Sequence, residues 1–86
     1  MQLKPNFVLR EVAGENVVIP AGDDLNLNLM ITLNETGAFL WKLLEQNTDE
    51  DALVAALLAE YDVDEASART HVTAFIAKLK EQDFLV

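Results

Sequence analysis

The sequence predicts an α+β domain, winged-helix-like, in which a three-stranded antiparallel sheet precedes three helices. Three observations support this fold class. The N-terminal third is rich in β-forming residues and alternates apolar with polar side chains from Leu27 to Leu33. The C-terminal half spaces its apolar residues as an α-helix does. Where the two parts join, Asn34 is a favourable helix cap and Glu35 places a carboxylate in the first helical turn.

Three segments, at about residues 7–12, 16–19 and 27–33, carry the strand signals. The first two are separated by a turn that contains Gly14 and therefore form a hairpin, which Pro20 ends. In the third segment Leu27, Leu29, Ile31 and Leu33 are predicted to face the core. A sheet of this kind leaves an edge of unpaired N–H and C=O groups.

Helices are predicted at about residues 35–46, 49–60 and 65–81. The first is apolar around most of its circumference near Trp41, so we expect a central helix that is covered on more than one side. Gly37 is costly inside a helix, by about 1 kcal/mol relative to alanine. Its presence indicates that another backbone approaches the first turn closely.

The second and third helices carry their own start and stop signals. Thr48 begins a segment that resembles a capping box, so the second helix is expected to start at Thr48. Asp64 caps the third helix, and Asp83 is predicted to end it in the left-handed conformation. The core stripe of the third helix consists of Ala68, Val72, Phe75, Ile76 and Leu79. The last three residues are expected to fold back as a short apolar tail.

Composition restricts the class of protein. The 86 residues predict one domain, 1–86, and the absence of cysteine excludes disulfides and thiolate zinc sites. There is no signal peptide at the start and no apolar run long enough to span a membrane, so a cytoplasmic protein is expected. The net charge of −9 argues against nucleic acid and anionic lipid as partners.

Catalytic and metal-binding motifs are absent from the sequence. His71 is the only histidine, has no partner suggested by the pattern, and is expected to be a solvated surface residue. The acidic groups around Asp51 and Asp64 lack the spacing of a calcium loop and are explained by helix capping. We therefore predict no enzyme, no catalytic residues, no metal and no cofactor.

Two functional hypotheses remain open on physical grounds. The free sheet edge beside a helix with mixed polar and apolar character suits the addition of an extended peptide as a further strand. Alternatively, the edge is covered by the chain itself or by a second copy in a homodimer. The residues alone favour neither of these.

Several segments resemble the PqqD-like family. They are Phe7-Val8-Leu9-Arg10, Leu33-Asn34-Glu35-Thr36-Gly37-Ala38 with Trp41, Tyr61-Asp62-Val63-Asp64, and Phe75-Ile76 with Leu79. The resemblance covers nearly the whole chain, and the segment from Leu33 to Trp41 is its most specific part. It implies a non-catalytic peptide-binding domain, called a RiPP recognition element, which captures the leader of a ribosomally synthesised precursor peptide. Such a domain presents the precursor to a maturation enzyme, often a radical SAM protein.

The resemblance also implies a site. The leader would add as a strand to the third strand and lie against the third helix. The implied peptide-binding residues are Asn26, Leu27, Asn28, Leu29, Met30, Ile31 and Thr32 on the strand, and Arg69, Val72, Thr73, Ile76 and Lys80 on the helix. Arg69 and Lys80 would then meet acidic side chains of the leader. A self-associating or enzyme-docking domain that binds no leader is the alternative.

Overall fold

The computed structural model describes residues 1–5, 7–20 and 31–86. In these ranges the chain forms three strands and then three helices, which confirms the predicted α+β fold class. The strands are β1 (Phe7–Val12), β2 (Glu15–Pro20) and β3 (Ile31–Leu33), and the helices are α1 (Glu35–Leu44), α2 (Glu50–Glu60) and α3 (Glu65–Glu81). The part of the third strand that was predicted over residues 27–30 lies outside the described residues.

A two-residue turn joins β1 to β2. Ala13 and Gly14 both have positive φ, at 53° and 82°, which is the backbone of a type I′ turn. Glycine adopts this conformation freely, whereas Ala13 does so at a cost in strain. The twist of the turn matches that of the flanking strands, so β1 and β2 pair in antiparallel register from Val12–Glu15 to Phe7–Pro20.

Helix α1 is central, as its apolar circumference predicted. Ala38, Leu40, Trp41 and Leu44 are all buried. The Trp41 ring also packs edge-on against Phe84 of the C-terminal tail, with 5.6 Å between ring centroids. The helix is therefore covered on more than one side.

Two of the three predicted helix caps are confirmed. The Asn34 side chain accepts a hydrogen bond from the Gly37 N–H at 2.8 Å, and the Asp64 carboxylate accepts one from the Ser67 N–H at 2.7 Å. The Ser67 backbone N–H, followed by the Ser67 side chain, stabilises the charged form and lowers the pKa of Asp64.

The predicted start of α2 at Thr48 is wrong. Asp49 is the cap, because its carboxylate accepts the Ala52 N–H at 2.8 Å. The Thr48 N–H instead donates to the Met1 carbonyl at 2.9 Å, which ties Thr48 to the N-terminal segment. Helix α1 likewise ends at Leu44 rather than near 46, and the Leu44 carbonyl accepts the Leu3 N–H.

The N-terminal segment and the C-terminal tail pair with each other. Leu3 forms an antiparallel bridge with Leu85, and the Lys4 N–H donates to the Phe84 carbonyl at 2.8 Å. Asp83 turns the chain into this tail with φ at 61°, which confirms its predicted left-handed conformation. The tail is apolar and folded back as predicted, but the pairing with a buried Leu3 was not anticipated.

We predict that Phe84 is a main contributor to stability. Its side chain is buried and packs edge-on against both Phe7 and Trp41, with ring centroids 4.6 and 5.6 Å away. Phe84→Ala should lower the free energy of unfolding by about 3–5 kcal/mol, measured by urea denaturation. Val86→Ala is the matched control, because Val86 is 84% exposed and its truncation should cost less than about 0.5 kcal/mol. Equal losses for the two variants would contradict this account of the tail.

Candidate functional site

The pairing register of the sheet identifies which backbone groups of β3 are unpaired. Residues of an antiparallel ladder alternate between pairs that exchange hydrogen bonds and pairs that do not. The two-residue turn makes Val12–Glu15 a bonded pair, and the alternation then makes Arg10–Val17 a bonded pair as well. Val17 therefore directs its N–H and C=O toward β1. Its partner on β3 is Thr32, whose own N–H and C=O must point out of the sheet into the open edge.

Among the described residues, β3 is paired on one side alone. Its neighbour is β2, and the C-terminal tail pairs with the N-terminal segment instead. Ile31 is half-buried and Leu33 is buried, while Thr32 between them is exposed. The predicted alternation is confirmed for residues 31–33, and the exposed residue in the middle of β3 is the polar Thr32.

Helix α3 buries one face, and the residues on either side of that face form two flanks. Its fully or nearly buried residues are Ala68, Val72, Ile76 and Leu79. Since successive residues of an α-helix are about 100° apart, residues 69, 73 and 80 lie on one flank of this buried face and residues 71, 74, 75 and 78 on the other. The two flanks have different neighbours.

The first flank contacts the start of α2. The Arg69 guanidinium lies 3.2 Å from the Asp51 carboxylate and 3.7 Å from that of Glu50, and it also reaches Glu65 at 3.8 Å. The Thr73 hydroxyl donates to Glu50 at 2.9 Å. These polar contacts join the N-terminal turns of α2 and α3, and they occupy the groups that would otherwise bind a ligand.

The second flank faces the start of α1 and forms a small cup with it. This cavity of about 230 Å³, called the α1–α3 cup below, begins one residue after β3 ends. Its lining residues are Asn34, Thr36, Gly37, Leu40, His71, Ala74, Phe75 and Lys78. The lining combines apolar groups with a few polar ones, as in pockets that accept an apolar side chain of a ligand.

Gly37 sets the width of this cup. A Cβ atom at position 37 would lie 3.4 Å from both Leu33 and the Phe75 ring, and 3.2 Å from the Asn34 side-chain oxygen. The first turn of α1 is therefore in close contact with the end of β3 and with α3. The first turn is closely approached, but by the side chains of Asn34, Leu33 and Phe75 and not by another backbone as predicted.

Two of the predicted site residues on the third strand lie among the described residues, and the other five do not. Ile31 and Thr32 lie on the edge strand, and the backbone N–H and C=O of Thr32 point toward the open edge. The other members of that set, Asn26, Leu27, Asn28, Leu29 and Met30, lie outside the described residues.

The predicted residues on α3 are not brought together beside β3. Val72 and Ile76 are buried in the core, at 0% and 7% exposure, so the structure gives a ligand little access to them. Arg69 and Thr73 contact α2, and Lys80 is exposed on the same flank. Contact between this set of α3 residues and a leader peptide stays a prediction. Phe75, on the other flank of α3, lies beside Gly37 in the first turn of α1.

Within the described ranges, the structure shows no group of three acidic or histidine side chains that could hold a metal ion. None of the described helices is long and apolar enough to cross a membrane. His71 is exposed and lines the cup without a hydrogen bond to another described side chain.

A second aromatic pair lies away from the cup, between α1 and the end of α2. Phe39 and Tyr61 pack edge-on with 5.6 Å between ring centroids. Partial burial, and then the nearby charges of Glu35 and Glu60, raise the pKa of Tyr61. The acidic side of α1 therefore faces Tyr61, whereas the cup lies on the other side of the helix start.

An open strand edge beside a helix-lined cup is the arrangement found in domains that recognise a peptide by adding it to a sheet. The sequence profile of the family described as coenzyme PQQ synthesis protein D (PqqD) matches residues 15–85. The chain belongs to this family, and the resemblance inferred from its sequence is confirmed.

Two solved structures share the fold. TbiB1 in complex with the TbiA(β) leader peptide superposes with a TM-score of 0.78 at 25% sequence identity, over 99% of this chain and 94% of TbiB1. Lasso peptide synthetase B1 complexed with the leader peptide gives a TM-score of 0.73 at 21% identity, over 96% of this chain and 93% of the other. Among proteins with curated descriptions, none matches the sequence significantly.

We predict that Arg69 has a structural role. Arg69→Met should lower the free energy of unfolding by about 0.5–1 kcal/mol at low salt, because it removes contacts to α2 from a half-exposed site. The loss should shrink at high salt, which urea denaturation at two ionic strengths would measure. Lys80→Met is the control, since Lys80 forms no ion pair with a described residue. A salt-independent loss, or an equal loss for Lys80→Met, would contradict this role.

Proposed function

We propose that this domain is a non-catalytic module that captures the leader of a ribosomally synthesised precursor peptide by strand addition to β3. It then presents the precursor to a maturation enzyme, which in this family's pathways is often a radical SAM protein. The observation that carries the proposal is the outward N–H and C=O of Thr32 on a strand whose outer side is unpaired among the described residues. Membership of the PqqD family and the fold shared with TbiB1, which was solved with a leader peptide, support it.

Backbone pairing supplies part of the binding free energy but little selectivity. A strand added to β3 would lie about 4.8 Å from it and place alternate side chains on the same face as Leu33. The α1–α3 cup lies directly beyond this end of β3 and offers the surfaces of Ala74 and Phe75. We propose that an apolar leader side chain occupies the cup and fixes the register of the added strand.

This proposal revises the helix side of the site. The contacts on α3 come from residues 71, 74, 75 and 78, and not from the flank of Arg69, Thr73 and Lys80. Arg69 is already bonded to carboxylates of α2 and α3, so a leader would have to displace those contacts to reach it.

Self-association is the second candidate, and one observation favours it. The outer edge of β1 is also unpaired among the described residues, and a cavity of about 520 Å³ runs beside it. A second copy could pair there without covering β3. Measuring the solution mass tests this candidate, because a dimer through β1 would have twice the monomer mass and would persist when a leader binds at β3.

We predict that Thr32→Pro abolishes leader binding while the domain stays folded. Proline removes the outward N–H and places its ring where the added strand would lie, whereas the bonds from Ile31 and Leu33 to β2 are kept. The dissociation constant should rise by about ten-fold or more, since an acceptor of the peptide is left unsatisfied. Synthetic leaders of short precursors encoded near this gene are the ligands for a fluorescence anisotropy titration.

Thr32→Val is the matched control for this experiment. It keeps the N–H and the branched shape, so its affinity should stay within about two-fold of the unsubstituted protein. If Thr32→Pro is folded by circular dichroism and binds as tightly as Thr32→Val, strand addition at β3 is refuted.

A second prediction tests the cup. Ala74 is exposed and lines the cup, so Ala74→Gln should fill it and weaken leader binding by about five-fold or more without a large change in stability. Ala77→Gln makes the same change on the solvent side of α3 and should leave affinity unchanged. Equal affinities for the two variants would place the leader's side chains elsewhere.

A further inference from the structure

The basic side chains of this acidic protein differ in whether they form ion pairs. The chain has six lysines and arginines against 15 acidic residues. Arg69 contacts three carboxylates, and Lys4 pairs with Asp83 at 2.8 Å. Lys78, in contrast, forms no ion pair with any described residue, although Glu81 lies one turn further along α3.

Lys78 also differs from the other cations in its position. It lines the α1–α3 cup together with His71, one on each side of Ala74 and Phe75 along α3. Among the described residues that line the cup there is no carboxylate. Glu35, the acid of α1 nearest to the cup in the sequence, is not among the residues that line it.

We propose that the α1–α3 cup selects leaders in which an acidic residue accompanies the apolar anchor, with Lys78 pairing with that acid. This inference rests on the proposed function and adds the class of peptide that the site accepts. Lys78 is the specificity-determining residue, because its ammonium is a donor beside an apolar surface and no described carboxylate pairs with it.

The net charge of −9 opposes this preference, so the two effects have to be compared. At physiological ionic strength the Debye length is about 8 Å, and charges further from the cup than this are largely screened. An exposed ion pair in direct contact is worth about two- to five-fold in affinity. The ion pair between Lys78 and the acidic residue therefore determines the preference for acidic peptides near physiological salt. Long-range repulsion by the net charge chiefly slows association at low salt.

The test is a display selection with random peptides of about 12 residues, which span roughly 40 Å when extended. The unsubstituted domain, Lys78→Glu and Lys80→Glu are used as baits. Lys80→Glu changes the net charge by the same amount, but Lys80 lies on the opposite flank of α3 and outside the cup. Peptides enriched by the unsubstituted domain and by Lys80→Glu should carry Asp or Glu beside an apolar residue. Peptides enriched by Lys78→Glu should carry Lys or Arg at that place.

Affinities of one selected peptide then give the size of the effect. Replacing its acidic residue by the corresponding amide should weaken binding to the unsubstituted domain by about two- to five-fold, and should not weaken binding to Lys78→Glu. The difference should disappear near 1 M salt, where the Debye length is about 3 Å.

The outcomes separate this inference from the proposed function. Peptides that bind at β3 will perturb the amide resonances of residues 31–33. If such peptides show no charge preference, or show the same preference for Lys78→Glu, charge selection by Lys78 is overturned and strand addition stands. If no peptide in the selection binds at β3, both proposals fall. Folding of each bait is checked by its thermal transition, because Lys78 and Lys80 are exposed and their replacement should leave it nearly unchanged.

Discussion

The site depends on the close contact between the first turn of α1 and its two neighbours. A methyl carbon at Gly37 would lie 3.2 Å from the Asn34 side-chain oxygen, which is tighter than most contacts, and 3.4 Å from both Leu33 and the Phe75 ring. This contact fixes the end of β3, the start of α1 and one flank of α3 relative to one another. The open backbone groups at Thr32 and the α1–α3 cup are therefore held in a fixed spatial relation, which a peptide that uses both requires.

The domain is small, and it has to be stable although the outer edge of β3 is unpaired among the described residues. It has no disulfide, and its core is built around Trp41, which a C-terminal tail covers. A C-terminal tail that paired with the outer edge of β3 would compete with an added strand. The tail of this domain pairs with the N-terminal segment instead, through Leu3 and Leu85, and so stabilises the core without occupying β3.

The element types, their order and much of the buried face followed from the sequence because they depend on local signals. Alternation at residues 31–33, the side-chain caps Asn34 and Asp64, and the bounds of α3 are all determined within a few residues of chain. The start of α2 was misplaced by one residue because Thr48 and Asp49 are both acceptable caps. The choice between them depends on Met1, which is distant in the chain and hydrogen-bonded to Thr48.

The two flanks of α3 could not be told apart from the sequence for a related reason. Helical periodicity defines the centre of the buried face of α3, and the residues on either flank of that centre are equivalent in the sequence pattern. Tertiary packing makes them different, since one flank meets the acidic start of α2 and the other meets Gly37 of α1. A basic residue among the carboxylates of α2 becomes part of the fold, as Arg69 does. Lys78 lines the cup and forms no ion pair with a described residue, which is the basis for the proposal that it selects what binds there.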